Sequence, residues 1–530
     1  MKLMHTLLTA AALAVVLGGS AYAKTLVYCS EASPANFDPG TTTGGNDYDA
    51  GARTVYNRLV EFKHGSTEIE PGLAESWDIS PDGLTYTFHL RKGVKFGATD
   101  YFTPTRDFNA DDVIFSFMRQ QDDKSPWFTY LPNLSYDYYV GMDMPKYTKE
   151  WKKIDDYTVQ LVLTEPNAPM LANMAMDFAS ILSKEYADKL QAANQMPDLA
   201  AKPVGTGPFV FVDYQLDTTI RYKANPDYWA GKVKLDDLIF QITPDATTRL
   251  QKVQSGECDV MAYPNPADIP AIKADPNLTT YSMAGLNVGY MSYNVTQPPF
   301  DKPEVRHALN MAIDRDALIK ALFQDAGAVA ADNLIPPTMW SWNKDVKFDK
   351  YDPDAAKKVL AANGVTSIDL WASDRTRPYN PNFQRAAELI QADWAKVGVT
   401  AKITTEEWTK YREDGKKKDR PGAFQIGWSG DNGDPDNFFA TLFSCSAIGV
   451  SNYSSWCNKD FENDIQKAKT TSDMAERTKY YEDAQKIFAA DAPAFLLAHS
   501  QVYVVTDKKV QGYTQDPLAM HRFDNVDVTE

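Results

Sequence analysis

The sequence predicts an α/β protein of at least two lobes, with mixed sheets flanked by helices, and three observations carry that prediction. The chain has 530 residues, more than a single hydrophobic core usually organises. From Leu238 onward, short apolar strand segments alternate with amphipathic helical ones, the pattern of α/β folds. Neither an internal repeat nor a low-complexity linker divides the chain. The lobes are therefore expected to be joined by crossing strands rather than strung as beads.

Residues 1–23 place Lys2 ahead of an apolar run from Leu7 to Leu17 and close on Ala21-Tyr22-Ala23. This is the layout of a secretory signal peptide cleaved before Lys24. The run is short for a bilayer, and no later stretch reaches the needed length, so the mature chain is expected to be exported and soluble. Leu26-Val27-Tyr28 reads as a buried strand, followed by a polar, Gly-rich loop over residues 30–47. Two alternating segments, 77–80 and 85–90, flank Pro81-Asp82-Gly83 and predict a hairpin. Asn109 caps a helix whose first turn carries Asp111 and Asp112, which suits the helix dipole. Residues 120–157 are Tyr-rich and read as irregular, and 159–163 read as a strand.

Gly205-Thr206-Gly207-Pro208 lacks the third Gly and the Lys-Ser or Lys-Thr of a phosphate loop, so it is expected to be a tight turn. A strand over 238–240 then leads to a helix over 245–253. Residues 285–294 read as an extended strand crossing between lobes. Helices follow at Pro303, with Val305, Ala308 and Leu309 on one face, and at Asp316. Phe383, Ala387, Ile390 and Trp394 form another stripe, ended by Gly398 before a strand at 399–404. A last helix spans 474–488, and strands at 495–498 and 502–505 return the chain to the first lobe.

Four cysteines, Cys29, Cys258, Cys445 and Cys457, suggest two disulfides in an exported chain, with three possible connectivities. The simplest choice joins Cys445 to Cys457 across a small polar loop. The remaining pair would tie the first strand to a distant segment and make one domain discontinuous.

The formal net charge of −17 argues against nucleic acid and anionic membranes as partners. Six scattered histidines, no Gly-x-Ser-x-Gly and no Cys-x-x-Cys leave catalysis and a metal site without support. The acidic run at 431–436 fails as an EF-hand from either starting residue, because its sixth and twelfth positions are wrong. What stands out is Gly427-Trp428-Ser429-Gly430-Asp431 in a Gly-, Asn- and Pro-rich loop, together with Arg377-Pro378-Tyr379-Asn380-Pro381. An Arg fork grips a carboxylate and a buried Asp accepts an ammonium, so the pair suits a small zwitterion. Read from the residues alone, Asp431 caps a loop or helix start, Arg377 makes a surface ion pair and Trp408 sits in a core.

Over nearly the whole mature chain the sequence resembles the periplasmic dipeptide-binding proteins of peptide ABC importers, within family 5 of the solute-binding proteins. Leu26-Val27-Tyr28-Cys29-Ser30-Glu31, Pro71-Gly72-Leu73-Ala74-Glu75, the stretch 333–340 and the stretch 430–443 carry the family likeness. Arg-Pro-Tyr-Asn-Pro and Trp-x-Gly-Asp are the more specific features. The resemblance implies a two-lobed flytrap fold with an extra domain. Domain I would take 24–54, 200–285 and 500–530, domain II 55–199, and domain III 286–499. It implies the disulfides Cys29–Cys258 and Cys445–Cys457. It implies that Asp431 meets a dipeptide's ammonium and Arg377 its carboxylate, with Trp408, Trp428 and Tyr379 lining the pocket and Thr43 and Gly45 contributing from the first lobe. A monomer without cofactor that works with membrane permease subunits in the periplasm is expected. Relatives of the same fold bind oligopeptides, haem, glutathione or nickel complexes, and these are the alternative ligands.

Overall fold

The computed structural model describes residues 23–324 and 326–529. The expected signal peptide, Ala23 apart, lies outside the described residues.

Thr25–Ser30 sits inside a seven-stranded sheet, parallel to Asp237–Ile242 on one side and Val260–Ala262 on the other. Leu26 and Tyr28 are fully buried, as the apolar run requires. Thr219–Ala224 and Phe209–Gln215 extend the sheet as a hairpin beyond Asp237–Ile242, and Gln501–Asp507 and Leu278–Ala284 extend it on the other side. The hairpin Ala74–Ile79 and Thr85–Leu90, with Trp77 opposite Phe88, joins Thr158–Leu163 and Thr148–Asp155 in a separate antiparallel sheet. One apolar core spans both sheets, with Leu26 and Phe240 from the first and Phe88 and Leu161 from the second. The Gly205-Thr206-Gly207 stretch runs along the Val55 backbone, where Gly207 N donates to Val55 O at 2.8 Å.

Asn109 caps the helix Ala110–Gln121, accepting from Asp111 N, and Asp112 closes a capping box. The stretch 120–157 differs from expectation: it contains short helical turns and the strand Thr148–Asp155. That strand forms the edge of its sheet, and bulges interrupt its register at Thr148/Glu150 and Lys153/Asp155. Such breaks erase the period-two signal by which a half-buried strand is read.

The second large sheet has six strands around Asn287–Tyr293, which is buried along its whole length between Ala423–Ser429 and Ala494–His499. One core on this sheet is built with the helices Pro303–Met311, Arg315–Phe323 and Phe383–Lys396. The other uses Asp436–Phe443, Lys459–Thr470 and Met474–Asp491. Trp394 is fully buried in the first, its indole N–H on Leu309 O at 3.2 Å.

The chain crosses between the large sheets twice, at Gly285-Leu286 and at Ser500. Asn287 knots these crossings: its amide donates to Ser500 O at 3.1 Å and its carbonyl accepts from Ser500 N at 2.9 Å. The four cysteines are paired as Cys29–Cys258 and Cys445–Cys457. The first bond ties Thr25–Ser30 to the segment just ahead of its neighbouring strand Val260–Ala262, from positions 229 residues apart.

Candidate ligand-binding site

Three parallel strands of the six-stranded sheet deliver the expected site residues. Ser367–Ser373 runs parallel to Thr400–Glu406 on one side and to Ala423–Ser429 on the other. Their carboxyl ends lead, in turn, to Arg377, to the helix Trp408–Gly415 and to Asp431. Ligands of open α/β sheets bind outside such strand ends, so three sequence-distant segments converge because the sheet aligns them.

Arg377 and Asn380 close a tight turn, each backbone N donating to the other's carbonyl, at 3.0 and 3.1 Å. This turn lies across the sheet: a Cβ on Gly289 would fall 2.3 Å from Tyr379 O, and one on Gly427 would fall 2.2 Å from the Tyr379 ring. Only glycine permits that approach. Ser500 Oγ, at the second crossing, donates to Pro378 O at 2.7 Å, which mounts the Arg377 turn on the junction of the lobes. The Arg377 guanidinium lies over the Trp408 ring, 4.3 Å from its centroid. Among the described residues no carboxylate is within ion-pair distance of it. Trp408 is half-buried, in contact with both cores of the sheet, with its ring under the Arg377 guanidinium.

Asp431 follows Ala423–Ser429 in a loop that ends at the helix Asp436–Phe443. Asn437 organises it. Its Oδ1 accepts from Asp431 N at 3.0 Å and from Trp428 Nε1 at 2.9 Å, and its Nδ2 donates to Asp431 Oδ2 at 3.2 Å. Trp428 is thus a brace, with its indole donor already committed. The other oxygen of Asp431 accepts from the Tyr138 hydroxyl at 2.6 Å, a contact from a segment 293 residues away. Burial pushes the Asp431 pKa up to about 7, and the charge of Asp177 adds to the rise. The Tyr138 and Asn437 hydrogen bonds and the charge of Arg53 oppose it without cancelling it.

The opposing wall comes from the first lobe and its companion sheet. Tyr138 packs near Tyr48, with ring centroids 6.0 Å apart, and stacks on Phe178 at 6.5 Å. Beneath them Arg53 joins Asp49 at 2.6 Å and Asp177 at 2.8 Å. Thr43 and Gly45 are exposed where the chain enters the helix Gly45–Ala50, which carries Tyr48. Neither makes a hydrogen bond to Asp431 or Arg377 among the described residues. A Cβ on Gly45 would meet nothing within 4 Å. Further contacts link the walls: Asn432 Nδ2 donates to Asn173 Oδ1 at 2.9 Å, and Lys469 pairs with Asp143 at 3.4 Å and Asp436 at 3.3 Å.

Tyr138 and Asn437 contact Asp431, and Tyr48, Arg53 and Asp177 lie behind Tyr138; none of the five was among the residues expected at the site. The only signal was the aromatic run Tyr136-Asp137-Tyr138-Tyr139 inside a stretch with no apolar period.

Two α/β lobes joined by crossing strands, with an acid, a guanidinium and aromatic rings gathered where they meet, define a two-lobed solute-binding protein. The chain belongs to the bacterial extracellular solute-binding proteins, family 5, whose middle-region model matches residues 68–449. It is 54% identical over 519 residues to the dipeptide-binding protein of Escherichia coli K12, covering 97% of this chain and 96% of that protein. Similarity to haem-binding protein A of Haemophilus influenzae is 46% over 95% of this chain and 92% of the relative. The crystal structure of the dipeptide-binding protein from Pseudoalteromonas sp. SM9913 in complex with Met-Leu superposes with a TM-score of 0.87 at 37% identity, over 96% of this chain and 100% of that one.

Proposed function

We propose that this chain is an extracytoplasmic substrate-binding protein that captures dipeptides by their free amino and carboxyl ends between closing lobes and delivers them to an ABC transporter. The observation that carries the reading is one pair of groups on one sheet rim: Asp431, buried and braced, and Arg377, stacked on Trp408 without an acidic partner among the described residues. A buried charge is costly unless paired and hydrogen-bonded. A ligand bringing an ammonium to Asp431 and a carboxylate to Arg377 answers both requirements.

In this reading Tyr379 and Trp408 shape the wall between the two ends, Trp428 braces the Asp431 loop, and Thr43 and Gly45 face the ligand from the first lobe. The seven-stranded sheet is the core of domain I (24–54, 200–285 and 500–530). The companion sheet belongs to domain II (55–199), and the six-stranded sheet to domain III (286–499). The leader is removed after Ala23 and the mature protein works in the periplasm. It acts as a monomer, without catalysis or nucleic acid, handing its cargo to membrane permease subunits. Ligand favours closure because it touches both lobes only when they are together.

Titration calorimetry on protein freed of ligand by unfolding and refolding tests this. Ala-Ala is expected to bind tightly, and N-acetylation or C-amidation to weaken it by about 2–4 kcal/mol each, the loss on leaving a buried charge unpaired. Heat from haem, a nickel complex or long peptides, and none from Ala-Ala, would overturn the ligand assignment.

The pH dependence has a definite sign. With the two walls together and no ammonium bound, burial holds the Asp431 pKa up at about 7, whereas pairing with an ammonium requires its charged form, so binding to that arrangement below pH 7 releases a proton. Affinity for Ala-Ala is expected to rise by up to about tenfold per pH unit from pH 5 towards pH 7. It falls again above about pH 8, where the peptide's amino group loses its proton. A flat profile from pH 5 to 7 would contradict the role given to Asp431.

A further inference from the structure

Two chain crossings, at Gly285-Leu286 and at Ser500, tie the large sheets together covalently, and each disulfide stays on one side of them. The seven-stranded sheet and its companion share one apolar core, so the segment 138–176, which carries Tyr138, moves with the first lobe. The loop with Asp431 and the helices Asp436–Phe443 and Lys459–Thr470 are built on a separate core. What holds Tyr138 against Asp431 is therefore non-covalent contact across the cleft.

Lys469, in the last turn of Lys459–Thr470, is the centre of that contact. Its side chain is 4% exposed, far less than a lysine at a helix end usually keeps in water. Its Nζ lies 3.3 Å from Asp436 Oδ2 on its own lobe and 3.4 Å from Asp143 Oδ2 on the other, and 5.0 Å from the centroid of the Tyr147 ring. Its backbone reaches across too: Lys469 O accepts from Ala168 N at 2.8 Å. Beside this pair Asn437 Nδ2, which braces Asp431, lies 3.9 Å from Met142 Sδ, and Asn432 Nδ2 donates to Asn173 Oδ1 at 2.9 Å. The acidic run that does not fit a calcium loop is thus shared out among cations. Asp434 takes Arg477, whose Nη2 is 2.8 Å from both oxygens, and Asp436 takes Lys469.

We infer that Lys469 is a positioning residue for ligand capture: through Asp143 and Ala168 it latches the wall bearing Tyr138 onto the lobe bearing Asp431, and so sets the affinity for every dipeptide without reading either of its ends. The inference rests on the dipeptide reading above. The Asp436 pair lies within one lobe and survives opening, which keeps the lysine charged and aimed at the cleft. The Asp143 ion pair and the Ala168 hydrogen bond exist only when the lobes meet. Contacts made only in the closed state favour that state with or without ligand, and the apparent affinity for ligand rises with the closed fraction.

Calorimetry with Ala-Ala and its N-acetylated and C-amidated forms, on Asp143→Asn, Lys469→Met, Lys469→Arg and the double variant Asp143→Asn/Lys469→Met, tests the latch together with hydrogen exchange at the Ala168 amide. Asp143 has a φ of 57°, a backbone conformation that asparagine also accepts, so Asp143→Asn removes charge and leaves the turn. Its affinity for Ala-Ala is expected to fall about fivefold, the upper end for an ion pair with one half-exposed partner. Lys469→Met loses at least as much and Lys469→Arg keeps part of it. With Lys469→Met already present, Asp143→Asn costs less than about twofold more. The ratios imposed by N-acetylation and C-amidation stay as in the unaltered protein, which a displaced Asp431 or Arg377 would not allow. The Ala168 amide exchanges more slowly with Ala-Ala bound, and that protection shrinks in Asp143→Asn. Unchanged affinity in Asp143→Asn overturns the latch, as do an undiminished Asp143→Asn effect beside Lys469→Met and an Ala168 amide that exchanges at one rate with and without Ala-Ala. If Lys469→Met does not fold, Asp143→Asn and the Ala168 amide decide. Should Ala-Ala give no heat with the unaltered protein, the dipeptide reading fails and takes the latch with it; if Ala-Ala binds and Asp143→Asn matches the unaltered protein, only the latch fails.

Discussion

Asp431→Asn is expected to lower the affinity for free dipeptides by about 3–5 kcal/mol, a loss of about a hundredfold to several thousandfold, the usual penalty for removing one partner of a buried ion pair. The substitution keeps the shape of the side chain and leaves one oxygen for the Tyr138 hydroxyl, which donates to Asp431 at 2.6 Å, and gives up only the longer 3.2 Å bond from Asn437 Nδ2 to the other oxygen. The brace from Asn437 to the Asp431 backbone N is untouched. The loss therefore reports charge, not collapse of the loop. Two signatures accompany it. N-acetylation of the ligand, costly for the unaltered protein, costs Asp431→Asn almost nothing more, and the rise of affinity between pH 5 and 7 disappears. Affinity within a factor of two of the unaltered protein would remove Asp431 from the ammonium site.

Arg377→Gln is expected to cost about 2–5 kcal/mol in dipeptide affinity and to abolish discrimination against C-amidated ligands. Part of this loss belongs to packing, since the guanidinium lies 4.3 Å over Trp408 and a stacked cation contributes about 0.5–2 kcal/mol by itself. Arg377→Lys separates the terms. It keeps a positive charge but not the planar fork, so it should recover less than half of the free energy lost. Because the turn bearing Arg377 is held to the lobe junction through Pro378 O and Ser500, losing the ligand's carboxylate should also make closure less complete. Small-angle scattering with and without dipeptide reads that directly. A variant that still rejects the C-amide would place the carboxylate elsewhere.

Much of the architecture was legible because it is local. The hairpin around Pro81-Asp82-Gly83, the Asn109 cap and the stripe of Phe383, Ala387, Ile390 and Trp394 each appear where turn chemistry and periodicity place them. The crossings at 285–286 and 500 were readable for a similar reason: a strand buried along its whole length, Asn287–Tyr293, announces itself by composition. The edge strand Thr148–Asp155 was not, since bulges and solvent on its outer positions leave Trp151 as its single well-buried side chain beyond Thr148.

By itself the sequence determined most of the strands and helices and the Asn109 cap, and it set Asp431 and Arg377 apart as an acid and a fork on irregular segments. The tertiary structure alone decided that Asp431 would sit against Tyr138, at a separation of 293 residues, and that its carboxyl would be desolvated enough to titrate at about pH 7. Periodicity and capping act within a few residues and are written in the order of the chain. A site's desolvation and its partners arise when a sheet brings the carboxyl ends of its strands to one rim, and that alignment has no signature in any single stretch.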